Sequence, residues 1–207
     1  MARFSDEQKA MLDEHMQRKI CEAATGIIIE SGIENVRMDK VAEAAGVAKG
    51  TIYNYFKDKN QLLATIAKTV FDPTFKNIIK IADSNSEALY KLQEIARILL
   101  ESFSRHKKLF VLLHEAKIDK KPLEKRNQLI SIIEKIIEPA INDGQFLASH
   151  PLVVAEIFLG MVMSINISKI TTGIERPAQE DLDAVMSIFT KGIQQNLTED
   201  KGTENEN

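Results

Sequence analysis

Tryptophan is absent from the 207 residues, cysteine occurs once and proline only five times. A lone Cys21 excludes an internal disulfide framework. The four histidines, His15, His106, His114 and His150, are scattered and have no second cysteine beside them, so no zinc set is offered. No HExxH motif or Ser/His pairing is present, and the chain is therefore expected to be neither an enzyme nor a holder of a metal or cofactor. Cys21 itself reads as a small core residue in a protein of the reducing cytoplasm.

An excess of positive charge is also missing. The formal net charge is -3, and residues 1–60 hold nine Lys plus Arg against ten Asp plus Glu, which excludes a uniformly basic nucleic-acid binder. Between Arg37 and Lys59 the balance turns to five against three in favour of positive charge, so any anion-binding surface must be local. The net negative charge of the chain equals that of residues 198–207, TEDKGTENEN, which hold four acids, one lysine and nothing apolar to anchor them; a disordered acidic tail is expected there, and the body is neutral without it. Long apolar runs are lacking too. The most apolar stretch, residues 151–170, is broken by Glu156, Ser164, Asn166 and Lys169, which argues for a helix in a soluble fold with no membrane partner. The opening MARFSDEQKAMLDEHMQRK has no apolar core of a signal peptide.

What is abundant is Ala, Ile, Leu, Glu, Lys and Gln at three- and four-residue spacings, with no sustained alternation of period two and no internal repeat. An all-α fold follows. A first helix opens at a capping box, Ser5 with Gln8, and runs to Gly32 with Ile20, Ala24, Ile27 and Ile28 as its inner stripe. A short second helix carries Val41 and Ala45 and stops at Gly46. A third starts near Ala48, and a second capping box, Asp58 with Gln61, opens a fourth along Leu62, Leu63, Ile66 and Val70 that Asp72-Pro73 is expected to interrupt. Longer helices are expected over 86–104, 107–118, 122–142, 151–170 and 179–197. In domain terms this gives 1–60, 61–197 and the tail 198–207.

The segment AEAAGVAKGTIYNYFKDK carries the chemistry. On a 3.6-residue period Ile52 and Phe56 share one face and, with Val41, Ala45 and Val47, close a small apolar core against the first helix. Thr51 and Asn54 then lie on the opposite face, flanked by Tyr53 and Tyr55, with Lys49, Lys57 and Lys59 at the ends. Small hydroxyl and amide groups in the middle and long ammoniums at the rim suit a helix laid in a DNA groove, where the former reach base edges and the latter phosphates. The context favours surface contact over core for both tyrosines, more so for Tyr55. Gly46 supplies the positive φ of a tight inter-helix turn, and Gly50 permits close approach of backbone or phosphate. GVAKGT is not a phosphate-cradling loop, since the GK[ST] ending and a preceding strand are missing.

Residues 36–63, VRMDKVAEAAGVAKGTIYNYFKDKNQLL, resemble the helix-turn-helix signature of the TetR family of bacterial transcriptional regulators. The resemblance is strong over about the first 70 residues; beyond them only length and helical character agree. It implies a three-helix DNA-binding domain followed by a larger helical bundle for effector binding and dimerisation. Thr51, Tyr53, Asn54 and Tyr55 fall where recognition-helix contacts occur, Lys49 and Gly50 at its start, and Lys59 where a phosphate-contacting lysine opens the next helix. Arg37 and Ala48 stand where the family often places capping Thr and Ser.

Further along, Phe103, Phe110, His114, Phe158, Met161, Met163 and Asn166 are the candidates for a cavity between helices, against a plain reading as core. The resemblance implies a cavity in this part of the chain. The last two long helices carry apolar residues on more than one face, and Gly160 permits close approach, so they are the expected homodimer surface. The partners expected are a double-stranded DNA operator, a small-molecule effector and a second copy of the chain. The competing expectation is an all-helical protein-interaction module that does not bind DNA.

Overall fold

The computed structural model describes residues 6–115, 122–148 and 150–193, and every regular element among them is helical, as expected of an all-α chain. In order these are α1 (Asp6–Ser31), a single 3-10 turn (Ile33–Asn35), α2 (Met38–Ala44), α3 (Lys49–Tyr55), α4 (Lys59–Ala82), α5 (Ala88–Glu115), α6 (Pro122–Asn142), α7 (Pro151–Thr172) and α8 (Ala178–Ile193). Ser5, the expected first cap, and the expected tail 198–207 lie outside the described residues.

The helix ends follow from local chemistry. Past α2, Gly46 takes φ 63°. Its N–H reaches the Glu43 carbonyl at 3.0 Å, and the N–H of Val47 reaches that of Ala42 at 2.9 Å. This paired closure satisfies two carbonyls that would otherwise be orphaned, and it needs a left-handed residue in the middle. The same device ends α6, where Gly144 has φ 71° and Gln145 bonds back to the Ala140 carbonyl at 2.8 Å. At the start of α4, Asp58 Oδ1 accepts the Gln61 N–H at 2.8 Å, while Gln61 Oε1 accepts the N–H of Lys57 at 2.6 Å. The box therefore closes one residue earlier than its simplest form, and the cap is worth about 1 kcal/mol.

Two expected breaks do not occur. Pro73 lies inside α4, which runs on to Ala82. The missing proline N–H orphans the Thr69 carbonyl, but both residues lie on the exposed side of the helix, and the next residue is tied down by a 2.8 Å contact between Thr74 Oγ1 and Ser102 Oγ of α5. The expected helices 86–104 and 107–118 are joined in α5. The polar run SRHKK between their apolar stretches contains neither proline nor glycine, so nothing in it stops a helix.

The chain forms two compact units. The first gathers the described residues up to Asn77 and those from Ser102 in α5; the second gathers Ile78–Glu101 and those from Leu123 onward. In the first, Ile20, Ala24 and Ile28 of α1, Val41 and Ala42 of α2, and Ile52 of α3 are packed with Phe56, with Leu62, Leu63 and Ile66 of α4, and with Leu109 and Leu113 of α5. Each of the larger of these side chains, the isoleucines, leucines, Val41 and Phe56, contributes about 1.5–3 kcal/mol by leaving water.

In the second unit, Ala155, Phe158, Leu159, Val162, Asn166 and Lys169 form the buried face of α7, and Leu182, Val185, Phe189 and Ile193 that of α8. The Phe158 and Phe189 rings meet edge to face, 4.8 Å between centroids. Lys169, 1% exposed, pairs with Asp181 at 2.5 Å and donates to the Arg176 carbonyl at 3.0 Å, and Arg176 Nε reaches the other Asp181 oxygen at 2.9 Å. By length and composition alone α7 meets the requirement for a membrane span, but its buried lysine is matched by a carboxylate of α8.

Candidate nucleic-acid interface

The core of the first unit decides which way α3 faces. Ile52 and Phe56 are fully buried, so the far side of this two-turn helix is left to solvent. Lys49, Gly50, Tyr53, Asn54 and Lys57 are exposed and Thr51 is half-buried, an arrangement the 3.6-residue period anticipates. Gly50 has open space where a Cβ would stand. Among the described residues no neighbour demands glycine there. Lys59 is half-buried at the start of α4, its ammonium 3.4 Å from the Glu34 carbonyl.

The tyrosines divide the other way from the sequence expectation. Tyr53 is 49% exposed, whereas Tyr55 packs its ring against the core and donates its hydroxyl to Asp13 Oδ1 of α1 at 3.0 Å. That hydrogen bond, then burial and the Asp13 charge, pushes the Tyr55 phenol above its usual value of 10. The reason is geometric. Asp13, itself exposed, stands two turns before the buried Ile20 in the same register of α1, and the last residue of α3 reaches it across the helix pair.

Beside them opens a groove of about 710 Å³ lined by Ala10, Asp13, Glu14, Gln17, Asn54 and Tyr55. The sequence did not single out the α1 residues of this groove, because a contact across 42 positions leaves no local motif; the helical register of Asp13 with Ile20 was the available signal.

The two unusual caps are as the sequence implies. Arg37 precedes α2 and Ala48 precedes α3, and neither makes a side-chain cap hydrogen bond. Arg37 instead meets Asp39 at 3.0 Å, and Asp39 is held below the usual carboxylate value, foremost by the Lys40 N–H and also by that guanidinium. A guanidinium thus stands at the start of α2 where a neutral hydroxyl is the commoner choice.

The expected cavity residues fall in both units. Phe103 and Phe110 of α5 meet edge to face at 5.3 Å, and Phe110 also meets Phe71 of α4 at 5.9 Å. Phe158 is core, Met161 and Met163 are half-buried on α7, and the buried Asn166 has no partner for its Oδ1 among the described residues. His114 belongs to α5, but its side chain lies outside the described residues. Among the described residues no cluster of His, Cys, Asp and Glu is arranged to hold a metal.

Residues 20–66 match the model of the bacterial regulatory proteins of the tetR family. The chain is 32% identical over 130 residues to YvdT, an uncharacterized HTH-type transcriptional regulator of Bacillus subtilis, an alignment covering 59% of this chain and 66% of that protein. In fold it is similar to a transcriptional regulator of the TetR/AcrR family from Thermobifida fusca, with TM-score 0.73 and 18% identity over 85% of this chain and 97% of that one. It is likewise similar to AibR, solved in complex with isovaleryl coenzyme A and operator DNA, with TM-score 0.63 and 21% identity over 84% and 97% of the two chains. With an N-terminal helix-turn-helix, a larger helical remainder and this match across the α1 to α4 core, the chain belongs to the TetR family of bacterial regulatory proteins.

Proposed function

We propose that the chain is a cytoplasmic, ligand-responsive repressor that binds a palindromic operator as a homodimer and releases it when a small molecule biases the C-terminal bundle. The observation that carries the reading is the two-sided α3: Ile52 and Phe56 fully buried behind, Lys49, Gly50, Tyr53, Asn54 and Lys57 exposed in front. In this reading Thr51, Tyr53 and Asn54 face base edges, Tyr55 borders them, and Lys49, Lys57 and Lys59 meet phosphates while Gly50 lets one come close. Functionally the chain divides into a DNA-reading part, 1–60, and an effector and dimer part, 61–197. Phe103, Phe110, His114, Phe158, Met161, Met163 and Asn166 remain the candidates for effector contact. Release requires the effector to prefer a state in which the two recognition helices no longer fit successive major grooves.

The test is operator selection from random duplexes by the purified chain, followed by binding against added salt. Affinity should fall steeply with salt through counterion release. Asn54→Ala should change which sequence is preferred, and Lys59→Ala should weaken all sequences alike. Salt-insensitive behaviour with no selected sequence would favour the protein-interaction module instead. Release by an effector is then sought with coenzyme A thioesters first, the ligand class named for AibR.

A further inference from the structure

The part of α1 that precedes the family match, Asp6 to Lys19, reaches the recognition helix through Asp13, whose Oδ1 takes the hydroxyl proton of Tyr55 at 3.0 Å. A phenol has a single O–H, so a Tyr55 that donates to Asp13 has no proton left to donate to a phosphate or a base. Its ring is held against the core and cannot swing away without exposing apolar surface. Tyr55 is also the last residue of α3, next to Asn54 on the groove that Asp13 and Glu14 line.

We propose that Asp13 is a positioning residue for DNA recognition. It acts through Tyr55 to fix the roll of α3, so that Asn54 reads bases on this side of the helix while the carboxylates of Asp13 and Glu14 keep phosphates off it. The inference rests on the DNA-binding reading above. It assigns Tyr55 the role of strut, and it gives the acidic wall beside a DNA-facing helix a purpose: a strand that approaches in the wrong register meets like charge. The raised Tyr55 phenol value agrees with the contact.

The experiment measures, on the full chain, the ratio of affinity for the selected operator to that for random duplex. Asp13→Ala and Tyr55→Phe should each lower this ratio by about tenfold, the scale of one hydrogen bond to a charged group. The double variant should lose no more than either single one, and Asp13→Asn, which keeps an acceptor and drops the charge, should hold operator affinity while tightening binding to random duplex, so that its ratio falls by less than that of Asp13→Ala. Tyr55→Phe keeps the packed ring, and thermal unfolding of each variant checks the fold. A second readout is phenolate absorbance against pH, clean in a chain with three tyrosines and no tryptophan: the tyrosine that titrates high should return toward 10 in Asp13→Ala. An unchanged ratio, or losses that add in the double variant, would overturn the proposal while DNA reading stands. If the unsubstituted chain selects no operator, the DNA reading itself fails and this inference goes with it.

Discussion

Gly50 separates the demands of folding from those of binding at a single residue. It lies in the first turn of α3 with open space at its missing Cβ. Gly50→Ala should therefore raise stability by up to about 1 kcal/mol, the helix-propensity difference. If the bare backbone serves the approach of a phosphate, the same change should weaken operator binding, and opposite signs in denaturant midpoint and operator affinity are the expected result. Gly46 is the contrasting case: at φ 63° its cost on becoming alanine is backbone strain of about 1–2 kcal/mol, read as a lower midpoint, since the nearest atom to the new Cβ is Lys19 Nζ at 3.8 Å. Gly46, Ile52 and Phe56 were legible in the sequence because turn chemistry and the helical period are local. Tyr55 was misjudged because its environment is set by Asp13, 42 residues away. Cys21 was legible too: burial foremost, and then Glu22, lifts its thiol to about 11, so slow alkylation of the native chain at neutral pH is expected, with fast reaction on unfolding.

Among whole elements, α4 and α5 show where sequence signals compete. Proline and a polar run both suggested breaks, and both lost to helices whose inward faces keep burying Ile66 before Pro73 and Leu109 after the run. Within that run His106 is half-buried, and burial, followed by the neighbouring Arg105, holds its imidazole below the ordinary 6.5. Between that lower folded value and 6.5 the unfolded chain binds more protons, so stability falls as pH drops through this window. The loss between pH 7.5 and 5.5 should be smaller in His106→Gln than in the native sequence, as denaturant midpoints at the two pH values would register. The joint between α7 and α8 depends on a buried charge pair, which sequence spacing does not announce because Lys169 and Asp181 lie on different helices. Asp181→Ala leaves the Lys169 ammonium buried without its carboxylate, a loss of about 3–5 kcal/mol in unfolding free energy.

For the assembled molecule, the question is what covers α7. One face of this helix is buried on its own unit, yet Val153, Ile157 and Ile167 are exposed, the last two by 56% and 58%, and with Gly160 and Ser164 they follow spacings of four, three, four and three residues. That repeat has the spacing with which two helices pack at a shallow angle, and in the proposed dimer the small Gly160 and Ser164 in its middle allow close approach. Ile188, 66% exposed on α8, adds to the apolar surface. A lone helix-turn-helix reads few base pairs, whereas two related by a two-fold axis read a palindrome with half-sites set by the helical repeat of DNA. The seam and the operator are thus coupled in the proposed function. Ile157→Glu places a charge in the seam at a position that is already exposed in the single chain, so the helical content and the unfolding of the isolated subunit should change little. Sedimentation should show the native chain as a dimer and the variant shifted to monomer. Affinity for a two-half-site operator should then collapse toward that for a single half-site, with the residual sequence preference unchanged, because α3 itself is untouched. A variant that stays dimeric and keeps its operator affinity would move the two-fold interface off α7.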